Sequence, residues 1–509
     1  MRIHYSLQAT VLAALVAISA GAAATARAQK LAVGAKPATV PVTTKSAAAR
    51  AAYEKGMVQR EELLYIDEGV RCFRKAVKDD PHFALAHAAL AYFTTDPAEE
   101  TRERAASIRD LAIASSGEKL LIRWFNGTKN GEIVPAIAAM NDLLAKYPND
   151  KRLANLDAEW LCSGQQNFDR GEAVLNHMLQ TDPNYFPALN NIAYCYALGG
   201  KVSLAPAFMD RYVAALPNQP NPQDSYGEIL RMAGDFQGAL DHYRGALKID
   251  PTFTTSQLGI ASTYALMGDQ ERARAEYPKA IEMTDDRATK LNYRMLWAMT
   301  YYRENNPDPA RKAYAELATE ARREGFPVQE AECHRAMALF DSDVKSALAE
   351  LDAAQAAIVE QHVLSAADHD TELATILQTR AFIAARAGMG DVAQKALEPL
   401  AEMAETSRNN LVQESHHSAN GAVLMTQGDY ADAISELRED PRNPLSLALL
   451  AEAQSKAADA GAQETLETLA AINDERMETA FAVPPARAAL KAAQPTAVQA
   501  TGHRGGPLR

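Results

Sequence analysis

Residues 234–251 read GDFQGALDHYRGALKIDP. A Gly-Asp pair opens the stretch, apolar residues follow at spacings of three and four, and Pro251 stops it. That pattern predicts an amphipathic helix, with Asp235 capping its start and Gly234 in the left-handed conformation that ends the helix before it. Gly238, Ala239, Gly245 and Ala246 fall on faces such a helix would bury, and a face so slight makes no core by itself. The helix has to lie tightly against neighbours, and the question is whether those neighbours are copies.

They are. Stepping back from Pro251 by 34 residues reaches Pro217 and Pro183, with Pro148 one residue off the next step and Pro81 two steps further on. Other landmarks keep the same frame. Glu159, Ala193, Gly227 and Ala261 recur early in successive blocks, and Cys162, Tyr196, Leu230 and Tyr264 come three residues later. Gln166, Gly200, Gly234 and Gly268 hold the turn. Gly171, Ala205, Ala239 and Ala273 follow on the second helix, then Leu175, Met209, Tyr243 and Tyr277.

This arrangement resembles the tetratricopeptide repeat, with a small and an aromatic residue on the first helix, Gly at the turn, Ala and an aromatic on the second, and Pro after it. The resemblance implies an all-α fold, a right-handed superhelical solenoid of antiparallel helix pairs with degenerate repeats at both ends. The frame runs over 50–287 and is cleanest over 186–287; beyond Asp286 the period loosens, and 288–480 reads as degenerate helical pairs. Gly-Asp recurs at 390–391 and 428–429, so the theme continues.

The ends differ in composition. Arg2 and His4 precede an apolar run and an A-x-A site at Ala26 and Ala28, the pattern of a signal peptide over 1–28. No cysteine precedes Cys72, which speaks against a lipid anchor, and no later apolar run approaches the ~20 residues a membrane span needs. The expected location is periplasmic or secreted. Removing 1–28 deletes Arg2 and Arg27 and takes the formal charge from −13 to −15, a balance that argues against nucleic acid as partner. Residues 29–49 read as a flexible linker and 481–509 as a disordered basic tail. Cys72, Cys162, Cys195 and Cys333 have neither zinc-site nor dense disulfide spacing, and the expectation is four small buried apolar residues, with two disulfides as the alternative.

A search for chemistry returns little. The sequence has no phosphate loop, H-E-x-x-H, G-x-S-x-G or C-x-x-C. Glu414, His416 and His417, and His362, Asp368, His369, Asp370 and Glu372, read better as polar helix faces than as metal ligands. No cofactor or metal is expected. The tyrosines of the clean blocks mostly occupy packing positions.

In tetratricopeptide repeats the first helix of each pair lines the concave surface. Carried onto this frame, the resemblance places Trp160, Asn190, Tyr194, Asp224, Glu228 and Arg231 there. It departs from the carboxylate clamp of chaperone-type repeats, which needs Lys and Asn at two of these positions. The implied function is a non-enzymatic scaffold outside the cytoplasm that binds a peptide or partner protein; the alternative is a helical-repeat enzyme or carbohydrate-binding protein with its site in 288–480.

Overall fold

The computed structural model describes residues 39–360 and 363–493. The expected signal peptide, residues 29–38, His362 and residues 494–509 lie outside them. The described residues form 25 α-helices in antiparallel succession, a right-handed tetratricopeptide-like solenoid. Seven pairs hold the 34-residue frame: α1 and α2 (Ala47–Met57, Ile66–Asp79), α3 and α4 (Ala84–Phe93, Pro97–Arg109), α5 and α6 (Ser116–Lys129, Ile133–Lys146), α7 and α8 (Lys151–Glu159, Phe168–Thr181), α9 and α10 (Phe186–Leu198, Pro206–Ala215), α11 and α12 (Pro220–Met232, Phe236–Ile249), and α13 and α14 (Thr254–Met267, Gln270–Met283). Five looser pairs follow: α15 and α16 (Arg287–Arg303, Pro307–Glu324), α17 and α18 (Pro327–Leu339, Val344–Glu360), α19 and α20 (Ala366–Arg386, Gly390–Thr406), α21 and α22 (Asn410–Gln427, Tyr430–Leu437), and α23 and α24 (Pro444–Lys456, Ala462–Ala470). A last helix, α25 (Met477–Ala493), has no partner of its own kind.

The small residues of 234–251 have two different uses. Ala239 and Ala246 are fully buried seats at the helix seam. The deeper answer lies on the neighbouring helices, where a Cβ added at Gly227 or Gly259 would stand 2.9 Å or 2.4 Å from the Tyr243 ring. One tyrosine is thus clamped between three consecutive first and second helices, because two glycines leave room for its ring. Gly238 and Gly245 are only partly buried. The Asp235 carboxylate accepts the Gly238 amide at 2.9 Å, and Gly234 carries φ +84°, so the cap and turn form as the sequence predicts.

Buried apolar side chains gather in clusters that follow the chain, spanning 40–161, 158–229 and 239–277 in turn, as a stack of nearest neighbours requires. The C-terminal part breaks this locality. Ala480 joins the cluster of 288–337, while Ala482, Val483 and Ala486 join that of 339–469. Phe481 meets Phe340 and Phe382 edge-on at 5.6 and 5.9 Å. The stretch expected to start a disordered tail at 481 is therefore helical as far as Ala493 and buried against the repeats as far as Ala486. Its small apolar residues fit a seat between repeats, which composition alone did not show. The expected linker is corrected too: over 39–46 the chain lies on its own solenoid, with Val40 buried, its amide donating to Asp150 at 3.1 Å, and Thr43 donating to Glu118 at 2.6 Å. Ser46 then caps α1.

Cys162 and Cys195 form a disulfide with their Cα atoms 5.3 Å apart, which overturns the expectation of four apolar thiols. Their separation of 33 residues is close to one repeat, so stacking sets equivalent faces of α7–α8 and α9–α10 against each other. Gly171 makes room: a Cβ there would lie 2.3 Å from the Cys162 sulfur. Cys72 and Cys333 are buried free thiols.

Candidate functional site

Five of the six residues expected on the concave face converge. Asn190, Tyr194, Asp224, Glu228 and Arg231, from α9 and α11, line one cavity of about 290 Å³. The helical period explains it, since residues four and seven apart share a face and successive first helices lie side by side. The Tyr194 hydroxyl donates to Glu228 at 2.7 Å, and the Arg231 guanidinium pairs with Glu228 at 3.1 Å. Thr255 and Ser256 of α13 donate to the two oxygens of Asp224 at 3.0 and 2.5 Å. Asn190, 4% exposed, has a side-chain carbonyl oxygen with no hydrogen-bond partner.

Trp160 does not belong to this wall. It is 7% exposed and sits edge-on to Trp124 at 6.1 Å in the first core cluster. The large apolar ring is taken up by the core around Trp124, at the start of a π-helical turn over Trp160–Gly164, instead of facing the groove.

The other walls come from residues that repeat counting has no means to find. Glu61, Leu64 and Ile66 arrive from the α1–α2 turn, and Glu475 from the segment before α25. Glu475 lies 3.0 Å from Arg231, and Asn473 donates to the Met232 carbonyl at 3.3 Å. A second cavity of about 700 Å³ shares Glu228, Arg231 and Glu475 with the first and continues past Arg335, Glu414 and Arg442. Distant parts of the superhelix also touch. The Tyr65 hydroxyl donates to Asp250 at 3.0 Å, Lys129 pairs with Asp368 at 2.8 Å, and Arg442 donates to Gln166 at 2.9 Å.

Desolvation sets the electrostatics. Burial raises Asp224 to about 7 against the hydrogen bonds from Ser256 and Thr255, and raises Glu61 to about 8. In the larger cavity burial likewise raises Glu414 to about 7, opposed by Arg442, and Asp440 to about 6, opposed by Ser446 and Gln378. Each of these last two has hydrogen-bonding partners in the fold: Arg442 donates to Glu414, and Ser446 donates to Asp440 at 2.5 Å. The histidines weighed as ligands have partners as well: His417 lies 2.8 Å from Glu436 and His369 lies 3.0 Å from Asp370. Among the described residues no helix is long and apolar enough to cross a membrane.

No protein-family profile matches the chain. A curated relative does: the TPR repeat-containing protein YpiA of Bacillus subtilis is 26% identical over 191 residues, covering 36% of this chain and 42% of that protein. The chain is a tetratricopeptide-repeat protein. Anaphase-promoting complex subunit 6 of Dictyostelium discoideum is 32% identical over 82 residues, 16% of this chain and 10% of that protein. The tetratricopeptide-repeat chain thus spans less than half the length of the curated relatives it matches. Among solved structures, a chain of the APC/C hetero-tetramer Cut9–Hcn1 is 16% identical with a TM-score of 0.41, covering 82% of this chain and 79% of that one.

Proposed function

We propose that this tetratricopeptide-repeat protein is an exported, non-enzymatic scaffold that holds a segment of a partner protein within its superhelix. The observation that carries the reading is the convergence of Asn190, Tyr194, Asp224, Glu228 and Arg231 on one cavity, with the Asn190 carbonyl left without a partner. Buried polar atoms are rarely left unpaired, and an amide carbonyl aimed into a cavity suits a backbone or side-chain donor of a bound chain. Export rests on the tripartite N-terminus and is supported by the Cys162–Cys195 disulfide, a bond that persists in oxidising compartments.

Two measurements test it. A photo-crosslinking amino acid at Tyr194 of the full chain is expected to join a polypeptide that the same group at Val134, 63% exposed on the outside, does not capture. Equal capture from both positions overturns the inner-face reading. N-terminal sequencing of protein from the producing cell is expected to begin at Gln29; a chain beginning at Met1 overturns export.

A further inference from the structure

The 290 Å³ cavity is rich in acceptors and poor in free donors. Five carboxylates line it, Glu61, Glu159, Asp224, Glu228 and Glu475, against the single guanidinium of Arg231. Arg231 is already committed to Glu228 at 3.1 Å and Glu475 at 3.0 Å, and its Nε donates to Tyr243 at 3.3 Å. Several other donors are engaged too. Asn191 donates to Asn155 at 3.0 Å, Asn221 to Tyr212 at 2.8 Å, and Tyr194 to Glu228 at 2.7 Å.

Acceptors are left over. Glu61, Glu159 and Asp224 have no basic group within ion-pair distance among the described residues. One Glu61 oxygen and the Asn190 carbonyl oxygen are unpartnered, on residues only 8% and 4% exposed. A carbonyl and three carboxylates around one void suit a group bearing several N–H donors and a positive charge, and repel an anion. The rim is of the opposite kind. Leu64, Ile66 and Leu258 line the same cavity, and Ile66 is 40% exposed at its edge. An apolar collar leading to an acidic floor is the shape of an aliphatic stem ending in a cation.

The backbone singles out the same place. The π-helical turns Val58–Glu62 and Trp160–Gly164 each adjoin this cavity, through Glu61 and Ser163. The first is followed by Leu64 at φ +55°, a conformation costly for a side-chain-bearing residue and commonly kept at functional sites.

We propose that this cavity receives a lysine side chain of the partner segment, its ammonium held by Asp224, Glu159, Glu61 and the Asn190 carbonyl and its stem by Leu64, Ile66 and Leu258. The inference rests on the scaffold reading and names the partner's chemistry. Burial has raised Glu61 against the fields of Arg152 and Arg60, and Asp224 against its hydrogen bonds and the field of Arg231; an arriving ammonium acts in the same direction as those cations.

The test uses the mature chain, residues 29–509, and pools of fluorescent decapeptides randomised around one fixed central residue. The pools carry Lys, norleucine or Glu at that position. The Lys pool is expected to be retained at least tenfold more than the norleucine pool, with the Glu pool lowest. Glu159→Gln with Asp224→Asn is expected to reduce Lys retention about tenfold and to leave norleucine retention unchanged, while Glu398→Gln on the outside changes neither. Cadaverine serves as the free-amine arm; displacement of the Lys pool only at concentrations far above the peptide's marks the source as polypeptide, and displacement at equal concentration overturns that. Equal retention of Lys and norleucine pools, or no retention of either, overturns the lysine pocket. If Tyr194 still crosslinks a partner in that case, the scaffold reading stands and only the pocket's chemistry is wrong.

Discussion

The turns at Gly234 and Gly268 and the turns after Val58–Glu62 and Trp160–Gly164 occupy the same place in their repeats but behave differently. At Gly268, with φ +88°, an added Cβ would meet nothing within 4 Å, and the turn simply reverses the chain. In the other two the positive φ falls on Leu64 and Gln166, each after a π-helical turn. Those loops reach across the superhelix: Tyr65 meets Asp250 and packs edge-on to Phe253 at 5.3 Å, and the Gln165 carbonyl and Gln166 side chain meet Asn410 and Arg442. The two irregular turns thus add ties between distant parts of the superhelix to those made at regular positions, where Lys129 pairs with Asp368 and Asn473 donates to the Met232 carbonyl beside Gly234.

The comparison breaks first at the centre of the regular region. Tyr243→Ala removes the ring for which Gly227 and Gly259 leave space and is expected to cost about 3–5 kcal/mol in urea unfolding. A change under about 1 kcal/mol there is incompatible with a clamped ring. The disulfide between adjacent repeats comes next. Cys162→Ala with Cys195→Ala is expected to cost about 2–4 kcal/mol. Thiol titration of the unfolded, unreduced chain checks the bond itself: two thiols agree, four do not.

Overpacking the seam by Ala239→Leu is expected to cost about 1–3 kcal/mol. An unchanged denaturant midpoint means that no neighbouring helix sits on Ala239. Loosening the ties, by Tyr65→Phe with Asn410→Ala, is expected to cost only about 1 kcal/mol for each lost hydrogen bond. Amide exchange should then accelerate at 58–66 and 160–167 while the turn at Gly268 keeps its protection. Exchange that rises equally in all three turns erases the distinction drawn above.

The smallest effect is expected at Leu64→Gly. Relief of the left-handed strain, about 1–2 kcal/mol, is largely offset by the added freedom of the unfolded glycine, so the midpoint should move little. A large loss would show that the Leu64 side chain matters for packing more than its position at the cavity rim suggests.

The repeats were legible because a 34-residue period, Gly-Asp turns and small seats are local patterns, each dictated by helix geometry within a few residues. The same period put Asn190, Tyr194, Asp224, Glu228 and Arg231 on one wall, since helical spacing decides which side chains share a face. It misplaced Trp160, whose ring is taken up by the core around Trp124, and it gave no sign of the Cys162–Cys195 bond, which needs two neighbouring faces in register. Glu61 and Glu475 stand at the same cavity although 414 residues of sequence separate them. Only closure of the superhelix brings them together. That closure depends on the twist accumulated over many repeats and on the seat that α25 finds between distant helices, quantities written in no single stretch of the chain.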